Sequence, residues 1–181
     1  MKKIMFNDKY GLTQAVLEGR KTQTRRTFLK PGEDTLLHGI TPEYLISVRS
    51  RYKVGETVAI AQPYDDITPQ VDWVKCMIRK ETLGWNNKMF VRAEDMPHHI
   101  SITKIRIERL QDIKSEDCLK EGLWRAGDVG LEGTTYWYHG LANSSFRTPQ
   151  EAYASLIDNI SGKGTWASNP YVFVYDLKLI D

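Results

Sequence analysis

The chain has 181 residues but only two cysteines, Cys76 and Cys118, far apart in the sequence. That spacing excludes a dense disulfide framework and offers no paired zinc ligands, so both thiols are expected to be reduced and buried. Long apolar runs are also missing. No stretch reaches the ~18 residues of a membrane-spanning helix, and the start, MKKIMFNDKY, turns polar too soon for a secretory segment. The expected compartment is the cytoplasm, with no membrane partner. An excess of one charge is lacking too: 25 Lys plus Arg against 23 Asp plus Glu leave a net +2. Overall field does not imply nucleic acid, and any basic site must be local. No internal repeat, low-complexity tract, G-x-G-x-x-G, phosphate loop or G-x-S-x-G occurs. Nucleotide-cofactor, kinase and serine-hydrolase readings are therefore unsupported, and no cofactor is expected.

What is present is an ordinary folding composition, 41% apolar and 27% charged, which excludes collagen-like and wholly disordered classes. The length suits a single domain over residues 1–181. A short strand, KIMF, leads to Asn7 or Asp8 as helix cap, then to an amphipathic turn carrying Leu12, Ala15 and Val16 that Gly19 stops. Residues 27–52 hold Pro31, Gly32, Gly39 and Pro42 and read as a long connection. TVAIA after Val54-Gly55-Glu56 is a buried strand, and Trp73 to Ile78 with Lys88 to Arg92 suit a hairpin.

In ISITKIRIERL the alternation of Ile100 and Ile102 changes phase before Ile105 and Ile107, which a bulge near Thr103 explains. Ser115 is placed to cap the helix SEDCLKEG, and residues 124–146 read as a Gly-rich aromatic insertion. Thr148-Pro149-Gln150-Glu151 carries the cap, the first-turn proline and the returning Glu of a capping box. That helix runs to about Asn159, and YVFVYDLKLI is the last strand. Strands outweigh short helices, so the expected class is α+β, a small, partly closed β-barrel or strongly bent sheet with packed helices.

Chemistry concentrates in residues 19–26, GRKTQTRR. Arg20, Arg25 and Arg26 offer planar forks, Lys21 a point charge, and the loop suits phosphate or another polar anion. A solvated basic loop has the same composition, so both readings stay open. Lys21 and Thr24 lie three apart; a lysine whose pKa is lowered by burial or by neighbouring arginines can take a threonine proton.

Residues 19–26 resemble the signature of the ASCH domain family, G-x-K-x-x-[ET]-x-R, through Gly19, Lys21, Thr24 and Arg26. The V-G-E turn at Val54 and the block IRIERLQDIKSEDCLKEGL resemble the family's V-G-[DE] and I-x-x-E-x-L-x-D-I, and the tail GKGTWASNPYVFVYDLKLI is similar to that of phage and prophage-type members. The resemblance implies a PUA-like β-barrel whose cleft is lined by the signature loop, with RNA or a modified nucleoside as partner. Small bacterial members with Thr in the variable position look like amidohydrolases of N4-acylated cytidine such as N4-acetylcytidine. Carried over, their working residues fall on Lys21, Thr24 and Glu121, with Arg26 or backbone N–H groups facing the oxyanion. Where phage-like relatives often show W-V-R-E, this chain has Ala59, Ile60, Ala61 and Gln62, an amide at the expected cleft wall.

His98 and His99 follow Met96-Pro97 and stand before a strand; His98 is a candidate ligand contact. Adjacent strand residues face opposite ways, so the pair does not suit one metal, and no metal site is expected. Trp124, Tyr136, Trp137 and Tyr138 either stack on bases or pack the insertion onto the barrel. Three functions stay open on one loop: amidohydrolase of an acylated nucleoside, non-catalytic RNA or nucleotide binding, and, more weakly, ribonuclease.

Overall fold

The computed structural model describes residues 1–29, 39–67, 73–126, 134–140 and 145–180. It is α+β, with five strands in one sheet: β1 (Lys2–Ile4), β2 (Gln23–Thr27), β3 (Thr57–Ile60), β4 (His99–Arg109) and β7 (Tyr171–Leu179), in the order β1-β3-β4-β7-β2. β1 runs parallel to β3, and every other neighbour is antiparallel. A second, two-stranded sheet pairs β5 (Trp124–Ala126) with β6 (Thr135–Trp137). The main sheet does not close: β1 and β2 remain its edges among the described residues. They face one another all the same, because Arg26 Nη2 on β2 donates to the Met5 carbonyl just past β1 at 2.6 Å. The sheet is an open, strongly bent one with a gap between its edges.

The bulge foreseen in β4 is present, with the register to β7 shifting between Ile102 and Lys104. It follows from burial. Ile100 and Ile102 are sealed in the core, and Ile105 and Ile107 pack against the same cluster, which strict alternation would forbid without one extra residue. Thr103 is that residue, and its hydroxyl donates to the Asp176 carbonyl.

The helices are α1 (Leu12–Leu17), α2 (Pro42–Arg49), α3 (Tyr64–Ile67), α4 (Trp73–Arg79), α5 (Ser115–Lys120), α6 (Pro149–Ser161) and α7 (Thr165–Ser168). α6 begins with the capping box read from sequence: Thr148 Oγ1 accepts from Glu151 N–H, and Glu151 accepts from Thr148 N–H. Its inward face carries Ala152, Tyr153 and Leu156. α5 starts at Ser115 rather than being capped by it. Lys114 holds the cap position without a side-chain bond, while Ser115 Oγ accepts from Gln150 Nε2 of α6.

Three segments differ from expectation. Residues 27–52 contain α2, started by Thr41 and Pro42 just as α6 is by Thr148 and Pro149; residues 30–38 of that stretch lie outside the described residues. The hairpin expected from Trp73 to Arg92 is replaced by α4 and a short 3-10 turn over Lys88–Phe90. Carbonyls that a ladder would need there are taken: Met89 and Val91 both accept from Lys3 Nζ, at 2.7 and 2.6 Å. Val74, Met77 and Ile78 share a helical spacing, which overrides their β-leaning composition. The aromatic insertion forms the β5–β6 ribbon, with Trp124 and Trp137 stacked at 5.3 Å and Tyr138 buried edge-on against Tyr10. Packing onto the body therefore accounts for Tyr138. Cys118 is a free, buried thiol whose pKa burial pushes up to about 12; the Cys76 side chain lies outside the described residues. No helix among the described residues is long and apolar enough to cross a membrane.

Because removing the Thr148 hydroxyl leaves the Glu151 N–H without its acceptor, Thr148→Ala is expected to cost about 1 kcal/mol, with Thr148→Ser near neutral. Urea unfolding of the three proteins measures it; an unchanged midpoint in Thr148→Ala would show that the cap contributes nothing.

Candidate functional site

The GRKTQTRR segment is held in place by its backbone. After Gly19, which turns with φ +72, Lys21 N–H donates to the Ala15 carbonyl of α1 at 2.8 Å and Thr22 N–H to the Lys120 carbonyl of α5 at 2.9 Å. The Thr22 carbonyl accepts from Leu177 N–H of β7. The loop is thus fixed to two helices and a strand before β2 begins. On β2, alternation sends Gln23 and Arg25 to one face and Thr24 and Arg26 to the other.

From the opposite side Glu121 closes α5 as its C-terminal residue, and Gly122 follows at φ +99. A Cβ on Gly122 would stand 3.2 Å from the Ala15 Cβ and 3.3 Å from the Lys21 Cβ. Only glycine satisfies both the left-handed turn and that approach.

The two halves meet in a charge cluster. Lys21 Nζ donates to Glu121 Oε2 at 2.6 Å, to the Glu121 carbonyl at 3.0 Å and to the Gln23 carbonyl at 2.8 Å. Arg25 Nη1 donates to the other oxygen, Glu121 Oε1, at 2.8 Å, and to Gln23 Oε1 at 2.6 Å. Both cations and the carboxylate are at most 7% exposed. Around them, Arg25 Nε donates to Glu108 Oε1 at 2.8 Å, and Arg106 reaches Glu108, Asp117 and Asp176 at 3.1 to 3.2 Å. Gln23 Nε2 donates to Asp176 Oδ1 at 2.6 Å. Every charge of the inner cluster therefore has a counter-charge and a hydrogen bond, which a buried ion needs.

The cluster forms one wall of a cavity of about 760 Å³ in the gap between the sheet edges. Lys21, Thr24, Arg25, Arg26 and Glu121 all line it, with Phe6 and Tyr153 among the aromatic residues of its surface. Burial draws the Lys21 ammonium below its ordinary pKa, against the pull of Glu121 and with added repulsion from Arg26 and Arg25. For Arg25 burial acts the same way, but Glu121, Tyr153 and Glu108 outweigh it and the net shift is upward. Thr24 is almost fully buried yet borders the cavity, and its hydroxyl has no partner among the described residues. The site thus combines a charge-paired amine with an uncommitted hydroxyl.

Other expected contacts fall elsewhere. Arg20 turns away, pairs with Glu18 at 2.7 Å and lies 3.7 Å from the Trp124 ring centroid. Gln62 lines a separate cavity beside Asp8, Thr13 and Asp66, and its Oε1 is buried without a partner among the described residues. His98 is half-buried ahead of β4, where its carbonyl accepts from Ile60 N–H, and it does not line the main cavity. Arg25 does line it, but its guanidinium nitrogens face Glu108, Glu121 and Gln23, so it positions Glu121 rather than offering a free fork to a ligand. No group of three His, Cys, Asp or Glu side chains among the described residues is arranged to hold a metal.

Two contributors escaped the sequence reading. Glu108 is hidden in the alternation of β4. Tyr153 faces inward from α6, with its hydroxyl buried and unpartnered among the described residues, and burial pushes its pKa well up. A polar tip on the buried face of an amphipathic helix was the available signal.

Glu121→Ala would leave Lys21 and Arg25 buried without their shared counter-charge, and a loss of about 3 to 5 kcal/mol is expected. Urea denaturation measures it. A loss below about 1 kcal/mol would mean that water reaches the two cations once the carboxylate is gone.

Set against known proteins, the chain matches no family model, no curated protein and no solved structure.

Proposed function

We propose that the cavity binds a modified nucleoside or the equivalent unit of RNA, and that Lys21, Thr24 and Glu121 hydrolyse an acyl amide such as that of N4-acetylcytidine. The observation that carries this reading is the buried Lys21–Glu121 contact in a cavity that is also lined by Thr24, whose hydroxyl has no partner among the described residues. The bent sheet with its edges facing across that cavity suits a PUA-like ASCH domain, and the motifs around Gly19 and Val54 agree with it.

In the proposed reaction neutral Lys21 takes the Thr24 proton as the hydroxyl oxygen bonds to the amide carbonyl carbon. The resulting oxyanion faces Arg26, which lines the same cavity. Collapse breaks the carbon–nitrogen bond, and Lys21 returns the proton to the departing amine. Water then cleaves the acyl-threonine ester, releasing the acid and restoring the hydroxyl. Glu121 holds Lys21 in place and balances its charge whenever it is protonated.

A second reading is favoured by one observation: all three ammonium donors of Lys21 are used inside the protein. A recognition domain that needs a rigid wall would use Lys21 in that way.

Chromatographic detection of cytidine released from N4-acetylcytidine separates the two. For an enzyme, Lys21→Ala and Thr24→Ala are expected to lower turnover by about 10² to 10⁴-fold. Absence of turnover in the wild type, with RNA binding that weakens as salt rises, would identify a recognition domain. RNA fragments after incubation would point to a ribonuclease.

The pH profile gives an independent check. Neutral amine is the working form, so kcat/KM is expected to rise with pH through an apparent pKa below the ordinary lysine value of 10.5. That limb should be absent in Lys21→Ala; a wild-type profile flat from neutral to alkaline pH would exclude Lys21 as the base.

A further inference from the structure

On the far side of Arg26 from the main cavity lies a second one of about 250 Å³. Met5, Arg26 and Thr27 belong to both linings, so a single wall separates them. The second cavity is one-sided in charge. Lys3, Arg26, Arg49 and Arg51 line it, and no Asp or Glu does among the described residues.

None of its three arginines has a carboxylate within ion-pair distance among the described residues. Arg26 spends one nitrogen on the Met5 carbonyl, Arg51 leans over the Tyr52 ring at 5.7 Å, and Arg49 ends α2 in solvent. Crowding is felt at Lys3, whose pKa is lowered by burial first and by Arg51 second. Everywhere around the inner cluster, by contrast, cations are matched by acids. Beneath these cations lies an aromatic floor of Tyr52, Phe173 and Tyr175, with half-buried Phe28 stacked on Phe173 at 4.1 Å.

Unmatched guanidinium forks above an aromatic floor suit a phosphate with its attached sugar. We propose that this basic pocket binds a phosphate group of the ligand whose base occupies the main cavity. The ligand is then a phosphorylated nucleotide or a ribonucleotide strand and not a bare nucleoside. This rests on the reading that the main cavity takes a nucleobase. Arg26, on the shared wall, touches both parts of such a ligand and sets the distance between them.

Arg49→Ala/Arg51→Ala removes two exposed cations, and Lys163→Ala/Lys178→Ala removes two others that line neither cavity, so both variants change net charge equally. The probes are cytidine 5′-monophosphate, by calorimetry, and a fluorescein-labelled single-stranded octaribonucleotide, by anisotropy at 50 and 200 mM salt. Wild type and the lysine variant are expected to bind a phosphorylated probe alike, and the arginine variant to bind it at least about tenfold more weakly at the lower salt, with a smaller salt dependence. Loss with both probes assigns the pocket to the phosphate of a single nucleotide; loss with the octaribonucleotide alone assigns it to the strand.

Equal affinities in the two variants, or no binding of either probe to the wild type, would overturn the proposal. Turnover of N4-acetylcytidine and of its 5′-monophosphate by the wild type is measured beside it. Absent turnover with the arginine contrast intact removes the hydrolase and keeps the phosphate site; turnover without the contrast does the reverse.

Discussion

The carboxylate of Glu121, shared between Lys21 and Arg25 with one cation on each oxygen, is the contact around which the molecule is arranged. Each of these charges loses several kcal/mol of hydration on burial, and that loss is offset only if all partners are in place together. The fold meets the condition by bringing the end of α1, the end of α5 and the start of β2 to one point. Gly122 lets them approach, and Arg106 neutralises the second ring of acids on β4, β7 and α5. Little freedom remains there for a side chain to rearrange. A pre-set amine and carboxylate are useful to a catalyst because no reorganisation is needed when charge develops.

The cavity exists because the sheet stops short of closing. Among the described residues β1 and β2 both lack a strand partner on their outer sides, which would ordinarily expose two rows of backbone groups. Here the Arg26 side chain spans the gap to Met5 and the long strands β4 and β7 curl behind it. The two edges thereby border the cavity that Arg26 also lines.

Much of this was legible in the sequence where the signal was local. Thr148-Pro149 with Glu151 foretold the start of α6, and the change of phase at Thr103 foretold the bulge, because capping and alternation depend on near neighbours. Lys21, Thr24 and Arg26 were marked by their density and spacing. That Lys21 touches Glu121 came only through the family resemblance, since no periodicity connects residues so far apart. Gln62 and His98 went to other places because their strand ends fix their backbones without fixing which cavity they border. The expected hairpin around Trp73 failed for a long-range reason as well: Lys3 claims the carbonyls it required. Glu108 left no mark, as an acid in a strand is ordinary until its partners are known, and Tyr153 left only the faint one of a polar tip on the apolar face of a helix.

Lys21 and Glu121 are 100 residues apart, and among the described residues β2 pairs only with β7, the last of the strands. During synthesis the ammonium of Lys21 therefore stays hydrated until α5 has emerged, and β2 has no neighbour until the final strand arrives. Such late, non-local closure slows folding and makes it all-or-none around this point. Any shortened product that lacks β7 carries residues 19–26 without the strand to which they are fixed. The cleft is thus assembled only once β7 is in place, and a nascent chain that still lacks β7 holds no partly formed version of it.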